Sequence, residues 1–328
     1  MADTQPPPVP AHEIAAQPAE LPKLRSNYGK HVDSAFVGWM RPTPASTSMD
    51  EMRRLYETEG YVWVKNLLPR EDVYDLREHY FGRIAATGIL APGSSPRDGI
   101  FNAAHDPLLH QGLGGEPEDS QWDLLDAAHT TPEYRQFLEH ATLRHFIRDF
   151  MRWDKEVLMN RAMLRHNVPH SVSTGIHYDH IFLRAGKDEF LTAWVPIGDC
   201  AAVGGGLMYM EDSTALGRGI EDDFTRRAEH FTAEERVSAF NAHMNKYGFL
   251  SHDAEEFQQS YHTGKLRWLI ADYEAGDVVF HNPWMIHGAA KNEDPLGRIR
   301  LATDLRFYQE GAEMDTRWMN VWHHKDGL

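Results

Sequence analysis

Residues 174–186 read TGIHYDHIFLRAG, and the reading of this stretch decides the fold. A Thr-Gly entry and a Phe-Leu-Arg-Ala-Gly exit bracket apolar positions that predict a strand. A strand sends residues i and i+2 to one face, about 7 Å apart along the backbone. His177 and Asp179 then share a face, while Ile176, Tyr178 and His180 take the other. An imidazole and a carboxylate so placed can converge on one metal. Downstream, VVFHNPWMIHGAAKN (278–292) holds two candidates for a third ligand. His287 is favoured because it precedes Gly288-Ala289-Ala290, small residues that let a cofactor come close. His281 is then a core imidazole or a hydrogen-bond donor behind the ligands. Two histidines and one carboxylate leave three adjacent positions open, which suits non-haem Fe(II) used for oxygen chemistry.

The bare His-x-Asp pattern recurs at His31–Asp33 and His324–Asp326. Both copies lie near a terminus and lack a surrounding apolar run, so only the central copy is taken as a site. It sits amid short apolar runs punctuated by glycine: EVLMNRAMLRHNV (156–168), FLTAWVPIG (190–198), GGLMYME (205–211), GDVVFH (276–281) and RIRLATDLRFY (298–308). Such runs predict strands. Upstream the texture is helical. SMDE at 48–51 is a capping box that opens a helix ending at Gly60. YVWVKNLL (61–68) reads as a strand, and PREDVYDLREHYFGRIAATG (69–88) as an amphipathic helix. A loop follows over 91–120, then TPEYRQFLEHATLRHFIRDFMRW (131–153) as a further helix. Helices followed by many short strands predict a mainly β fold, an antiparallel sandwich buttressed by helices. Residues 1–46, with PPPVP, QPAELP and RPTPAST, read as a proline-rich tail. Residues 47–328 then form a single domain. A charged helical insert interrupts it at about 214–262, read as a lid, a homodimer contact or a solvated decoration.

Acidic residues outnumber basic ones, 49 to 33, for a formal charge of −16. A polyanion such as nucleic acid would be repelled, and no basic cluster offsets this. Cys200 is the one cysteine, which excludes an internal disulfide and fits a reducing compartment. No leader, sequon or membrane-spanning apolar run is found, and the C-terminal Asp-Gly-Leu is no peroxisomal address. The cytoplasm is the expected location, with a small molecule as substrate.

The three ligands give a ferrous site one net positive charge. A dianionic chelator such as 2-oxoglutarate matches it, with a keto oxygen and a carboxylate for two open positions. Its far carboxylate needs a cation, and the planar fork of arginine suits it best. GRIRLATDLRF (297–307) supplies Arg298, Arg300 and Arg306 on one strand face.

At this point the chain resembles the phytanoyl-CoA dioxygenase-like group of Fe(II)/2-oxoglutarate oxygenases. The resemblance runs from about 58 to 309 and rests on six pieces in order: GYVWVKNLLPREDV, HYDHIFLRAG, LTAWVPIGD, GGLMYM, GDVVFHNPWMIHGAAKN and RLATDLRFY. It implies a double-stranded β-helix (jelly-roll, cupin-like) core with flanking helices. The iron triad maps onto His177, Asp179 and His287. The pattern arginine-x-small-x-x-x-basic-Phe puts the oxoglutarate arginine at Arg300, with Arg298 in reserve. Trp194 matches a position lining the oxoglutarate site. Tyr178 stands where some members carry glutamine, and Ala289 replaces a serine common near the cofactor. A carboxylate at 179, where related halogenases have a small residue, implies hydroxylation, desaturation or cyclisation, with O2 as the second co-substrate. Phe182, Arg184 and Trp284 are candidates to face substrate. The group includes acyl-CoA hydroxylases and natural-product tailoring enzymes. The acidic chain has no polyphosphate cradle, which favours the latter. A cupin-like Mn or Zn enzyme without oxoglutarate and a silent metal-binding protein on this fold are the alternatives.

Overall fold

In the computed structural model, residues 18–238 and 248–326 are described. The strands are β1 (Val37–Trp39), β2 (Pro42–Pro44), β3 (Tyr61–Lys65), β4 (Glu156–Leu158), β5 (Met163–Asn167), β6 (Phe190–Pro196), β7 (Leu207–Met210), β8 (Trp268–Ile270), β9 (Val278–His281), β10 (His287–Ala289) and β11 (Arg300–Gln309). A four-stranded sheet runs β1-β8-β7-β10. A seven-stranded sheet runs β2-β3-β9-β6-β11-β4, with β5 also paired to β11. Trp194, Val279 and Ala302 from the larger sheet meet Leu207, Tyr209 and Leu269 from the smaller in one buried cluster. The two sheets therefore pack face to face as an open jelly-roll core.

Period-two alternation sorts each strand between this interior and the helices. On β6, Leu191, Ala193 and Val195 join a cluster with helix residues, whereas Thr192 and Trp194 point inward. On β11, Leu301, Leu305 and Phe307 pack outward, and Arg300, Asp304 and Arg306 line the internal cavity. The outer cluster is completed by α1 (Met49–Glu59), α2 (Arg70–Ile84), α3 (Trp122–His129), α4 (Pro132–Leu138) and α5 (Ala141–Met151). Fully burying each such Leu, Ile or Phe contributes about 1.5–3 kcal/mol. Ser48 caps α1 by accepting from the Glu51 amide, and Gly60 closes it with φ +79°, a left-handed turn that suits glycine. The expected single helix over 131–153 is two, parted at Glu139-His140, where His140 adopts an extended ψ of 118°.

The reading of residues 1–46 as a tail fails where the chain is described. Leu24 and Met40 are fully buried, β1 pairs with β8, and β2 pairs with β3 at the sheet edge. Pro42 and Pro44 mimic a linker in composition, but edge strands tolerate proline. Residues 1–17 lie outside the described residues. The insert is helical as expected, with α6 (Thr214–Arg227), α7 (Ala233–Val237) and α8 (Ala254–Ser260). Residues 239–247 of it are not described. Among the described residues no helix is long and apolar enough to cross a membrane.

Two buried histidines tie the helices to the sheet in neutral form. His129 Nδ1 donates to the Leu125 carbonyl, and its Nε2 accepts from the Leu164 amide at 2.8 Å. His166 Nε2 donates to the His110 carbonyl while Nδ1 accepts from the Tyr80 hydroxyl at 2.6 Å. Burial pushes each down to about 4. The unfolded chain takes up these protons from about pH 6.5, so their contribution is full above that pH and is lost as pH falls toward 4. Each is expected to withdraw about 3 kcal/mol over that window. Denaturant midpoints at pH 7 and pH 4.5 should differ accordingly. His166→Gln should show a shallower slope, and equal slopes would contradict this.

Candidate metal centre

His177 and His287 face each other in an isolated antiparallel bridge, each amide donating to the other's carbonyl at 2.9 Å. Residues paired in this way have Cα atoms about 5.5 Å apart, and the two imidazole centroids are 4.3 Å apart. Their Nδ1 atoms lie 2.8 Å from the carbonyls of Gly175 and Met285 respectively. A carbonyl only accepts, so each Nδ1 carries a proton and each Nε2 keeps its lone pair. Both Nε2 atoms point at Asp179 Oδ1, at 3.6 and 3.9 Å. One ligand atom from each of His177, Asp179 and His287 lies within 4.8 Å of the others, and all three residues are buried.

The expected continuous strand through 176–180 is not there. The chain leaves the bridge at His177 and enters a single 3-10 turn over Asp179–Phe182. That turn, not a pleat, brings the carboxylate round to the imidazoles. Asp179 is fully buried. Its Oδ2 accepts from the Thr192 hydroxyl at 2.5 Å and from His281 Nε2 at 3.2 Å. Its Oδ1 accepts from Arg306 Nη2 at 2.6 Å. Burial alone would raise the carboxyl, but the Arg306 guanidinium, with the surrounding imidazoles, outweighs it and holds Asp179 well below its usual range. Burial, with His177 and His281 close by, holds His287 well below its own. An anionic carboxylate and, at 287, a neutral imidazole are the protonation states in which metal ligands bind.

Arg300 lies at the start of β11 and is 3 % exposed. It donates from Nε to the Gly205 carbonyl (2.9 Å), from Nη1 to the Arg165 carbonyl (3.0 Å) and from Nη2 to the Ser173 hydroxyl (2.8 Å). One N–H remains on each terminal nitrogen, the pair a carboxylate takes from a guanidinium. Burial pushes Arg300 down to about 10, so it stays charged at neutral pH. Among the described residues no carboxylate pairs with it, and a buried cation of that kind fits an oxoglutarate tail. Asn27, from the misread tail, braces this wall. Its side chain accepts from the Ser173 amide and donates to the Ser173 carbonyl.

The other sequence candidates separate. Trp194 lines the same cavity of about 470 Å³ as His177, His287 and Arg300, and so does Phe182. Arg298 lies before β11 and pairs with Asp294 at 2.8 Å, so of these two arginines Arg300 is the one that lines the cavity. Tyr178 turns away, its hydroxyl donating to Glu221 on α6 at 2.6 Å. Arg184 grips the same Glu221, and Trp284 donates to Asp188, so neither lines the cavity. Ala289 is buried in the core beside Leu207, its partner on β7, and does not line the cavity either. The resemblance sets Tyr178 and Ala289 near the cofactor, and in the structure neither of them lines the cavity. Sequence reasoning missed Thr192, Phe249 and the tryptophans Trp122, Trp318 and Trp322 of the cavity wall. Thr192 had a signal, since it alternates with Leu191 and Ala193 and shares the inward face of Trp194.

Two imidazoles and a carboxylate inside a jelly roll, with an inward arginine that no described carboxylate pairs, fit the ferrous, 2-oxoglutarate-dependent class of oxygenase. The chain belongs to the phytanoyl-CoA dioxygenase (PhyH) family, whose profile matches residues 56–298. It is a non-haem iron dioxygenase that uses Fe(II), 2-oxoglutarate and O2. A 1-deoxypentalenic acid 11-beta-hydroxylase from Streptomyces arenae is 21% identical over 290 residues, spanning 85% of this chain and 88% of that protein. Among solved structures, the non-haem alpha-ketoglutarate-dependent carbocyclase SnoK from nogalamycin biosynthesis superposes with a TM-score of 0.50 at 18% identity, covering 82% of this chain and 87% of that one. The epimerase SnoN of the same biosynthesis gives a TM-score of 0.46 at 14% identity, covering 80% and 82%.

Proposed function

We propose that this dioxygenase tailors a small natural product in the cytoplasm, abstracting hydrogen from one of its C–H bonds to hydroxylate, desaturate or cyclise it. In this reading His177, Asp179 and His287 hold the iron and Arg300 holds the far carboxylate of oxoglutarate. The observation that carries it is the convergence of both Nε2 lone pairs on Asp179 Oδ1 in the cavity that Arg300 also lines. The named activities of the Streptomyces hydroxylase and of the nogalamycin carbocyclase support a role in secondary metabolism. The net acidic charge of the chain stands against a CoA thioester.

Bound ferrous iron supplies the oxygen chemistry, coupling decarboxylation of oxoglutarate to attack on a C–H bond. The chain's own residues supply geometry. The carbonyls of Gly175 and Met285 fix the imidazole tautomers and aim both Nε2 atoms. Thr192 and His281 hold Asp179 Oδ2, and Arg306 holds Oδ1, the oxygen that faces the histidines. Phe182 and Phe249 pack beside His177, with ring centroids at 5.4 and 5.6 Å, and keep water from the centre.

The test is release of succinate from oxoglutarate after anaerobic loading with Fe(II) and admission of air. Oxoglutarate consumption matched by succinate is expected. Metal binding without any oxoglutarate consumption would favour the cupin-like alternative.

A further inference from the structure

The insert helix α6 lays one face against the backs of both segments that carry the gathered ligands. Ser213, Gly217 and Glu221 recur every four residues and so share that face. Ser213 Oγ accepts from the amide of Ile286, one residue before His287, at 3.0 Å. At Gly217 the helix comes so close that an added Cβ would lie 2.2 Å from the Trp284 carbonyl oxygen. Glycine is the residue that permits such an approach.

Glu221 meets the other segment. Its Oε2 accepts from the Tyr178 hydroxyl at 2.6 Å and from Arg184 Nη2 at 2.8 Å, and its Oε1 from Arg184 Nε at 2.7 Å. These two partners flank the 3-10 turn Asp179–Phe182. Tyr178 immediately precedes it, and Arg184 lies two residues beyond it. The turn has no side-chain cap of its own at Tyr178. Short 3-10 turns hold themselves weakly, so what grips the ends sets where Asp179 lies. One carboxylate grips both ends. The grip is buried, with Tyr178 fully enclosed and Glu221 8 % exposed. Arg184 is anchored further by Phe224, one turn along α6, whose ring lies 3.8 Å from the guanidinium carbon. A buried ion pair adds little net stability, and its best-attested use is to fix one arrangement. Neither Glu221, Tyr178 nor Arg184 lines the cavity, so they touch no substrate there.

We propose that Glu221 is a positioning residue of the metal centre. It gathers Tyr178 and Arg184, fixes the turn between them, and thereby sets the Asp179 carboxylate against the imidazoles of His177 and His287. The insert helix α6 is then a part of the metal centre. Functional side chains need placement to about 0.5 Å, and Glu221 supplies it for Asp179 from the far side. The proposal rests on the oxygenase reading and adds to it the part that aligns the ligands.

The experiment compares metal-free full-length wild type, Glu221→Gln, Tyr178→Phe and Leu143→Ala. Leu143 is a buried residue of the outer cluster, away from α6, and its truncation supplies loss of stability alone. Three quantities are read: the guanidinium unfolding midpoint, the Kd for Fe(II) under anaerobic conditions, and the visible charge-transfer band formed when oxoglutarate is added to the ferrous protein. Glu221→Gln should raise the Fe(II) Kd by about tenfold or more, as loss of a partner behind metal ligands does, and should displace the band. Tyr178→Phe should do the same to a smaller degree. Leu143→Ala should lower the midpoint and leave Kd and band in place. The proposal is overturned if Glu221→Gln folds and keeps the wild-type Kd and band, or moves them no further than Leu143→Ala does. Where Glu221→Gln does not fold, Tyr178→Phe decides alone, since it loses one hydroxyl and keeps the ring; unchanged Kd and band then overturn the proposal. Failure of the oxygenase reading looks different: wild type binds Fe(II), but oxoglutarate brings up no band, and the effect of Glu221→Gln on the Fe(II) Kd is still read.

Discussion

Asp179→Ala protein is expected to bind no ferrous iron, to release no succinate and to unfold more readily than the parent. Asp179 is fully buried and receives bonds from Arg306, Thr192 and His281. Deleting it removes one of the three proposed ligands. It also leaves the Arg306 guanidinium buried without its counter-charge, and breaking a buried pair in this way costs about 3–5 kcal/mol. Loss of turnover should exceed the roughly 10–100-fold fall seen when only the partners of metal ligands are removed. Fe(II) titration and guanidinium unfolding of metal-free protein measure the two effects. Asp179→Asn keeps the shape and separates them, since metal should still be lost. Full turnover by either variant would contradict the assignment.

Arg300→Gln is expected to raise the KM for oxoglutarate by about 100-fold or more, because two charge-assisted bonds of about 1.5–3 kcal/mol each go with the guanidinium. Saturating co-substrate should recover much of kcat, as uniform binding energy is what is lost. Arg300→Lys should fall between the two, keeping a charge without the fork. Arg298→Gln provides the contrast. Arg298 pairs with Asp294 away from the cavity, so its removal should move KM by less than about threefold. A larger effect at 298 than at 300 would reverse the choice between them.

Much of this was legible in the chain, and what was not has physical causes. Long apolar runs such as FLTAWVPIG and RLATDLRFY announce β6 and β11 because both faces of these strands are covered. The spacing of His177 and Asp179 pointed to a shared centre, yet through the wrong local structure. A 3-10 turn and a pleat can both bring i and i+2 to one point, and only coordinates separate them. β1, β2 and β10 are three residues each, too short for any period to register. Their places are set by partners far away in sequence, Trp268 for Val37 and Trp63 for Pro42. Tyr178 shows the limit most clearly. It lies between two of the gathered residues, but its hydroxyl is drawn to Glu221 on the insert, a contact 43 residues downstream that no local pattern encodes. Arg306 carried a signal that was used only in part. Its even spacing from Arg300 places both on the inward face, but sequence alone does not tell which one touches the carboxylate.

The central claim is that one ferrous ion is held jointly by His177, Asp179 and His287. A crystal structure grown anaerobically with Fe(II) and oxoglutarate tests it most directly. The account predicts the ion bonded to both Nε2 atoms and to an Asp179 oxygen, with the far carboxylate of oxoglutarate on Arg300. An ion seated on His281 in place of His287, or oxoglutarate bound without touching Arg300, would contradict it.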